Sequence, residues 1–346
     1  MDFSNSTIFK SIAHEVGNKF RDEGIVYSYN DIELQDNDTQ ILFTRYLLSS
    51  FKDDEFYNFS HPTDLQMNEV YVYVSNIFQK PDEFLQQSKN IALHLYNEST
   101  HPKINKGELY IVFFKECRIE DEIVDGIGIF KSETKDSYLK ARKQEDNFIL
   151  ISEKGVNVDK LDKGCIIFNT NKKDGFKVTL VNSSRSEDAQ YWKERFLQLI
   201  PTNDAYHYTK NYLSLTKEFI TKQLANDFDI NNAEKAEVLN KSVAYFKNNS
   251  QFSEKQFASE VFTDPLMANS FKQFKNEYQQ EREFDLTDDF EISQQVVKRQ
   301  ARALKSVIKL DKNFHIYIHG QTELIEKGYD EITGKHFYKV FFDNES

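Results

Sequence analysis

Cysteine is scarce, with only Cys117 and Cys165 in 346 residues. Two thiols cannot build a disulfide framework or a four-cysteine zinc site, and both lie in apolar runs where a thiol behaves as a small buried hydrophobe. No apolar run reaches the roughly 18–20 residues of a membrane helix, and residues 1–20 lack a basic segment leading into an apolar one. A cytoplasmic protein with no membrane partner is expected. Tryptophan occurs once, but 30 Phe, 18 Tyr and a hydrophobic share of 39% exclude disorder and low-complexity arrays. No repeat of fixed period is present, which excludes solenoids and propellers. An excess of positive charge is also missing: the formal net charge is −12. Nucleic acid is therefore not attracted by the surface as a whole, although a local patch remains open. G-x-S-x-G, Walker A and HExxH motifs are all absent. Gly126-Ile127-Gly128 fails as a dinucleotide fingerprint, because Lys131 stands at the third glycine position and a strand continues where a helix is needed. No cofactor and no catalytic residue are implied.

What is present points to two domains, at roughly 100–200 residues each. In the first hundred residues, 16 acidic side chains outweigh 7 basic ones. Ile25 to Tyr29 has strand character, and Thr39 to Phe51 is close to helical spacing. Val70 to Phe78 fits either element. Phe84, Ser88, Ile91 and Leu95 mark a helix behind Pro81. From Glu108 onward the period changes. Leu109–Phe114, Ile123–Phe130, Phe148–Ser152, Cys165–Phe168 and Phe176–Val181 are short β-rich runs without intervening helices, which favours an antiparallel meander. Beyond residue 183 the sequence turns helical. Ala189, Trp192, Phe196 and Leu199 give one stripe, Tyr208, Tyr212, Leu215 and Phe219 a second, and Ala236, Leu239, Val243 and Phe246 a third. Ser253 with Gln256 forms a capping-box signature flanked by a Phe252/Phe257 staple, and Asp264-Pro265 marks another helix start. Two aromatic runs, Phe314 to Ile318 and Lys335 to Phe342, suggest a closing hairpin. The expected fold is α+β: residues 1–182 form a domain with an antiparallel sheet and flanking helices, and residues 183–346 a helical domain closed by a C-terminal β-hairpin.

Two basic clusters stand out as candidate DNA-binding residues. Lys298, Arg302, Lys305 and Lys309 fall at i, i+4, i+7 and i+11, which on one continuous helix aligns them opposite Val296, Ala303 and Val307. With Arg299 and Lys312 added and Asp311 subtracted, residues 298–312 carry +5. The alternative is a solvated helix face answering the acidic stretch from Glu277 to Glu291. The second cluster comprises Lys172, Lys173, Lys177, Arg185, Lys193 and Arg195, where Ser183, Ser184 and a helix start near Ser186 could assist a phosphate. Glu187 and Asp188 in that first turn oppose an anion. Asp125, Glu133 and Lys135 have the residue types of a metal-dependent nuclease core. That pattern arises easily in a chain with 29% charged residues. His315 and His319 share a face of a strand, but at ~3.3 Å per residue they lie roughly 13 Å apart, too far to chelate one ion. No metal site is expected.

The order of segments resembles the bacterial nucleoid-associated protein family of the NdpA type. The resemblance is carried by Ile12-Ala13-His14-Glu15-Val16-Gly17-Asn18, by Ile104-Asn105-Lys106-Gly107-Glu108-Leu109, by the stretch from Ser184 through Tyr191-Trp192 to Leu197, and by three C-terminal segments. These last are Leu310 to Ile316, Glu326 to Asp330 and Gly334 to Lys339. The resemblance implies a non-enzymatic, DNA-associated protein of the nucleoid that forms a homodimer. It supplies no set of DNA-contacting residues. The acidic N-terminal region leaves a second possibility open, an interaction protein that reaches the nucleoid through a DNA-processing enzyme.

Overall fold

The computed structural model describes residues 1–182, 190–262, 264–282, 284–300, 306–310, 313–318 and 324–344. They form two compact units, Met1–Thr202 and Asn203–Ser346. The architecture is α+β.

The first unit is built on eight strands: β1 (Thr7–Val16), β2 (Ile25–Val26), β3 (Phe56–Phe59), β4 (Gly107–Ile119), β5 (Glu122–Ser132), β8 (Lys163–Phe168), β9 (Lys177–Asn182) and β10 (Leu199–Pro201). They pair antiparallel throughout, in the order β10-β3-β9-β8-β5-β4-β1-β2. Helices α2 (Glu69–Gln79) and α3 (Phe84–Glu98) cover one face, and α1 (Asn37–Leu48) covers the other. Both faces are therefore apolar. Along β4, Leu109, Ile111 and Phe113 meet the α2/α3 layer, while Val112 and Phe114 meet the α1 layer. This double burial explains the unbroken apolar run in the sequence, since a strand covered on both sides has no polar face to alternate with. Each such side chain contributes roughly 1.5–3 kcal/mol by leaving water.

Helix starts follow local chemistry. The Asp36 carboxylate accepts the Thr39 amide at 2.7 Å, and the Asn68 side chain accepts that of Tyr71 at 2.9 Å. The ambiguous run from Val70 to Phe78 is helical because Val70, Val74 and Ile77 fit one buried stripe against the sheet. Residues Tyr191–Phe196 make a π-helical turn, and Tyr191, Trp192 and Phe196 enter the core of the first unit. With β10 pairing to β3, the first unit extends to Thr202, where the sequence suggested a boundary at 182.

The meander expectation needs one correction. Phe148–Ser152 does not join the large sheet. It lies in β7 (Asn147–Gly155), which among the described residues pairs only with β6 (Asp136–Gln144), in a separate two-stranded arm between β5 and β8. The charged composition of β6 hides that strand from periodicity.

In the second unit α4 (Ala205–Glu218) continues through a π-helical turn, Phe219–Gln223, and a last turn, Leu224–Asp227. It is followed by α5 (Asn232–Asn248), β11 (Gln251–Ser253), α6 (Glu254–Val261), α7 (Pro265–Arg282), β12 (Asp289–Glu291) and α8 (Gln294–Gln300). The core is aromatic: Phe252 stacks on Phe246 at 5.4 Å and on Phe290 at 4.7 Å between ring centroids. The expected capping box at Ser253 is not formed. Ser253 belongs to β11, its amide donates to the Tyr245 hydroxyl at 3.1 Å, and the Gln256 side chain turns to Glu260. The box occurs instead at Asn231 and Glu234, ahead of α5. Lys275 is buried and salt-bridged to Glu254 and to Asp288, the latter at 2.5 Å, and the ammonium holds the Asp288 carboxyl below its usual range. The C-terminal strands β13 (Ser306–Leu310), β14 (Phe314–Ile318), β15 (Ile325–Asp330) and β16 (Lys335–Val340) make two hairpins, β13–β14 and β15–β16. Leu310, Ile316, Ile325 and Tyr338 pack on Ala233 and Ala236 of α5.

Candidate nucleic-acid interface

The first basic cluster does not ride on one helix. Helix α8 ends at Gln300, and Ser306–Leu310 is a strand whose Lys309 stands opposite His315. The reason is local. Val307-Ile308-Lys309-Leu310 alternates with β-branched content and finds a partner strand three residues on, so hairpin pairing overrides the coincidental helical spacing of the lysines. Within α8, Val296 and Val297 are buried and Lys298 and Arg299 are exposed in its last turn, where cations suit the helix dipole. Arg302, Lys305 and Lys312 lie outside the described residues, as do Arg185 and His319.

The second cluster is divided by the sheet. Lys177 points to the α1 side, where its ammonium pairs with Glu120 at 2.6 Å and sits 4.6 Å from the centre of the Phe56 ring. It is buried and already neutralised. Lys193 and Arg195 belong to the π-helical turn that packs on the opposite face. Lys193 lies 4.7 Å from the Tyr57 ring centre, and Arg195 is exposed, donating to the Thr100 hydroxyl at 3.4 Å. Lys172 and Lys173 occupy a short turn, Lys172–Asp174, closed by Gly175 at φ 94°. A Cβ there would stand 2.2 Å from the Phe59 carbonyl oxygen, so only glycine lets the turn approach β3.

The nuclease pattern does not assemble. Asp125 lies in the first half of β5 and pairs with Lys115 at 2.6 Å, whereas Glu133 lies just beyond the C-terminal end of that strand. Glu133 bridges two buried cations, Lys131 at 3.0 Å and Lys163 at 2.7 Å, and Lys135 pairs with Glu108 at 2.5 Å. Eight residues of strand separate the two carboxylates by roughly 26 Å. Burial pushes the Lys131 ammonium down from its usual range, with Glu133 opposing. The triad is thus a set of structural ion pairs. Among the described residues no group of three His, Cys, Asp or Glu side chains could hold a metal ion.

Two segments that are far apart in sequence meet here. Residues 12–18 end β1 and residues 104–109 open β4, and the strands pair with His14 opposite Leu109 and Val16 opposite Gly107. Asn18 ties the junction, donating to the carbonyls of His101 at 2.8 Å and Ile104 at 2.7 Å. Lys106 reaches Glu15 at 2.6 Å. At Gly107 a Cβ would stand 1.9 Å from the Ser132 carbonyl oxygen. His14 is buried between the Ser88 hydroxyl, 3.0 Å from Nε2, and the Ser28 amide, which donates to Nδ1 at 3.1 Å; burial pushes its pKa down to about 4. Sequence alone marked these residues but not their contact.

Sequence reading found only the β7 half of the β6–β7 arm; strand β6 and the exposed Lys140, Arg142, Lys143 and Lys154 went unmarked. The signal was available in its charges, but Asp136, Glu145, Asp146 and Glu153 cancel them over the arm as a whole. No curated protein sequence matches the chain. A family model does: that of nucleoid-associated protein YejK covers residues 12–339, including both halves of the β1/β4 junction, and the chain belongs to this family of nucleoid-associated proteins.

Proposed function

We propose that the chain binds double-stranded DNA without reading its sequence and contributes to chromosome organisation at the nucleoid as a non-enzymatic protein. The observation that carries this reading is α8, in which Val296 and Val297 are buried while Lys298 and Arg299 face solvent at the helix end. Family membership supports the same direction. Lys172, Lys173, Lys193 and Arg195 are accessory candidates, and Lys177, held by Glu120, is not. Because the chain carries −12 overall, phosphate contact must come from such local groups and must weaken steeply with salt.

The test is binding of a random-sequence duplex across a salt series. Lys298→Glu/Arg299→Glu and Lys298→Glu/Arg302→Glu/Lys305→Glu variants run alongside. Each lost phosphate contact flattens the log–log slope by about 0.9. A wild-type protein that fails to bind even at low salt overturns the proposal, and the acidic N-terminal region then becomes the surface on which to seek a DNA-processing enzyme.

A further inference from the structure

Helix α1 leaves apolar surface uncovered. It buries Tyr46 and Leu47 against the sheet, while Ile41 is 56% exposed and Leu48 half-buried. At roughly 100° per residue, Asp38, Ile41, Arg45 and Leu48 fall within about 80° of the helix circumference and form one stripe. Across from that stripe stands Phe3. The two walls bound a groove of about 570 Å³, whose lining also includes Asn37 and Gln40. The Phe3 wall is fixed in place: Asp2 exchanges backbone hydrogen bonds with Arg118 at 2.9 and 3.1 Å, and the Phe3 ring stacks on Phe168 at 6.3 Å between centroids. The groove is therefore formed before anything occupies it.

Charge selects the occupant. Residues 29–55, which include α1, hold 7 acidic side chains against 2 basic ones, a balance of −5 that is more than half of the −9 carried by the first hundred residues. Arg45, the cation in the groove lining, is already answered by Asp159 at 2.6 Å. The Asp38 carboxylate on the same stripe enters no ion pair or hydrogen bond among the described residues. An anionic partner, duplex DNA included, is repelled here. A second copy of the same face would set Asp38 against like charge. What fits is a partner whose apolar side chains are flanked by ammonium or guanidinium groups. The 12 residues of α1 make a rod of about 18 Å. A second helix of three or four turns laid along it offers apolar residues at i, i+3, i+4 and i+7 to Ile41, Leu48 and Phe3, and keeps its cations at the rim.

We propose that the α1 groove seats a cationic amphipathic helix of another protein. This stands whether or not the chain binds duplex DNA, and it is tested without DNA. The probe is a fluorescein-labelled peptide of about 14 residues with leucine at i, i+3, i+4 and i+7 and lysine elsewhere, and the full chain is titrated into it while anisotropy is read. Saturable one-site binding is expected. A scrambled peptide of the same composition, and one with glutamate in place of lysine, are each expected to bind at least tenfold more weakly. Ile41→Lys puts a like charge into the groove and is expected to raise the peptide Kd about tenfold or more. Its melting temperature is expected to match wild type, because Ile41 is largely solvated. Asp38→Lys is expected to weaken binding about threefold and to flatten its salt dependence. Leu139→Lys, which alters a leucine of the β6–β7 arm that is also exposed, is expected to leave binding unchanged. A wild type that ignores the peptide, a scrambled or glutamate peptide that binds as tightly, or an Ile41→Lys or Asp38→Lys variant with wild-type affinity overturns the proposal. So does an equal loss on Leu139→Lys, or a change of sedimentation on Ile41→Lys, which would put a second copy in the groove.

Discussion

Strands β7 and β8 make an instructive pair. Phe148-Ile149-Leu150-Ile151 and Cys165-Ile166-Ile167-Phe168 are alike in length, hydrophobicity and β-branched content. Yet Cys165 to Phe168 are fully buried, while Phe148 is 72% exposed. The difference lies in the neighbours. β8 is paired on both edges, by β5 and β9, and covered on both faces by the layers of α2/α3 and α1. Among the described residues β7 has a partner on one edge and a helical layer on neither face. Local propensity makes a strand in both cases, but the stabilisation from burial, roughly 25 cal/mol per Å² of apolar surface removed from water, reaches only one of them.

That contrast can be broken or sharpened experimentally. The largest effect is expected at Gly107, where a side chain has no room beside the Ser132 carbonyl: Gly107→Val should abolish folding of the first unit, read as loss of a cooperative unfolding transition. In the buried strand, Ile167→Ala should lower stability by about 2–5 kcal/mol in a denaturant titration. A third test uses acid. The His14 pKa is lowered from 6.5 to about 4 by burial, with Lys89 adding to it, so protonation favours the unfolded chain. Stability from this group is complete above about pH 6.5 and lost as pH falls toward 4, on the order of 3 kcal/mol. The stability of His14→Gln should therefore vary less than wild type over that interval. The smallest effect is expected in the arm: Leu150→Ala should change stability by no more than about 0.5 kcal/mol. A loss comparable to that of Ile167→Ala would mean that the arm is covered within a single chain.

Much of the helical half was legible in the sequence because its signals are local. Asp264 does accept the Leu266 amide at 2.8 Å just ahead of α7, and Phe252 does pack on Phe257, as their spacing suggested. The stripe Phe84, Ser88, Ile91 and Leu95 is buried as a face of α3. What failed were inferences needing a partner. The lysines from 298 to 309 have helical spacing, but the Phe314–Ile318 strand claims Ser306–Leu310. Lys177 was counted with a surface cluster until the parity of β9 turned it toward Glu120. Asp125 and Glu133 looked like neighbours in one dimension, but most of the length of β5 separates them.

The sequence by itself determined most of the element types, the change from short strands to helices, the α+β class and the family, because period, caps and segment order are properties of the chain read along its length. The tertiary structure decided which apolar strand is buried, which lysines are neutralised, and that residues 12–18 and 104–109 form one junction. Each of those outcomes depends on contacts between residues tens of positions apart, and no window along the chain contains them.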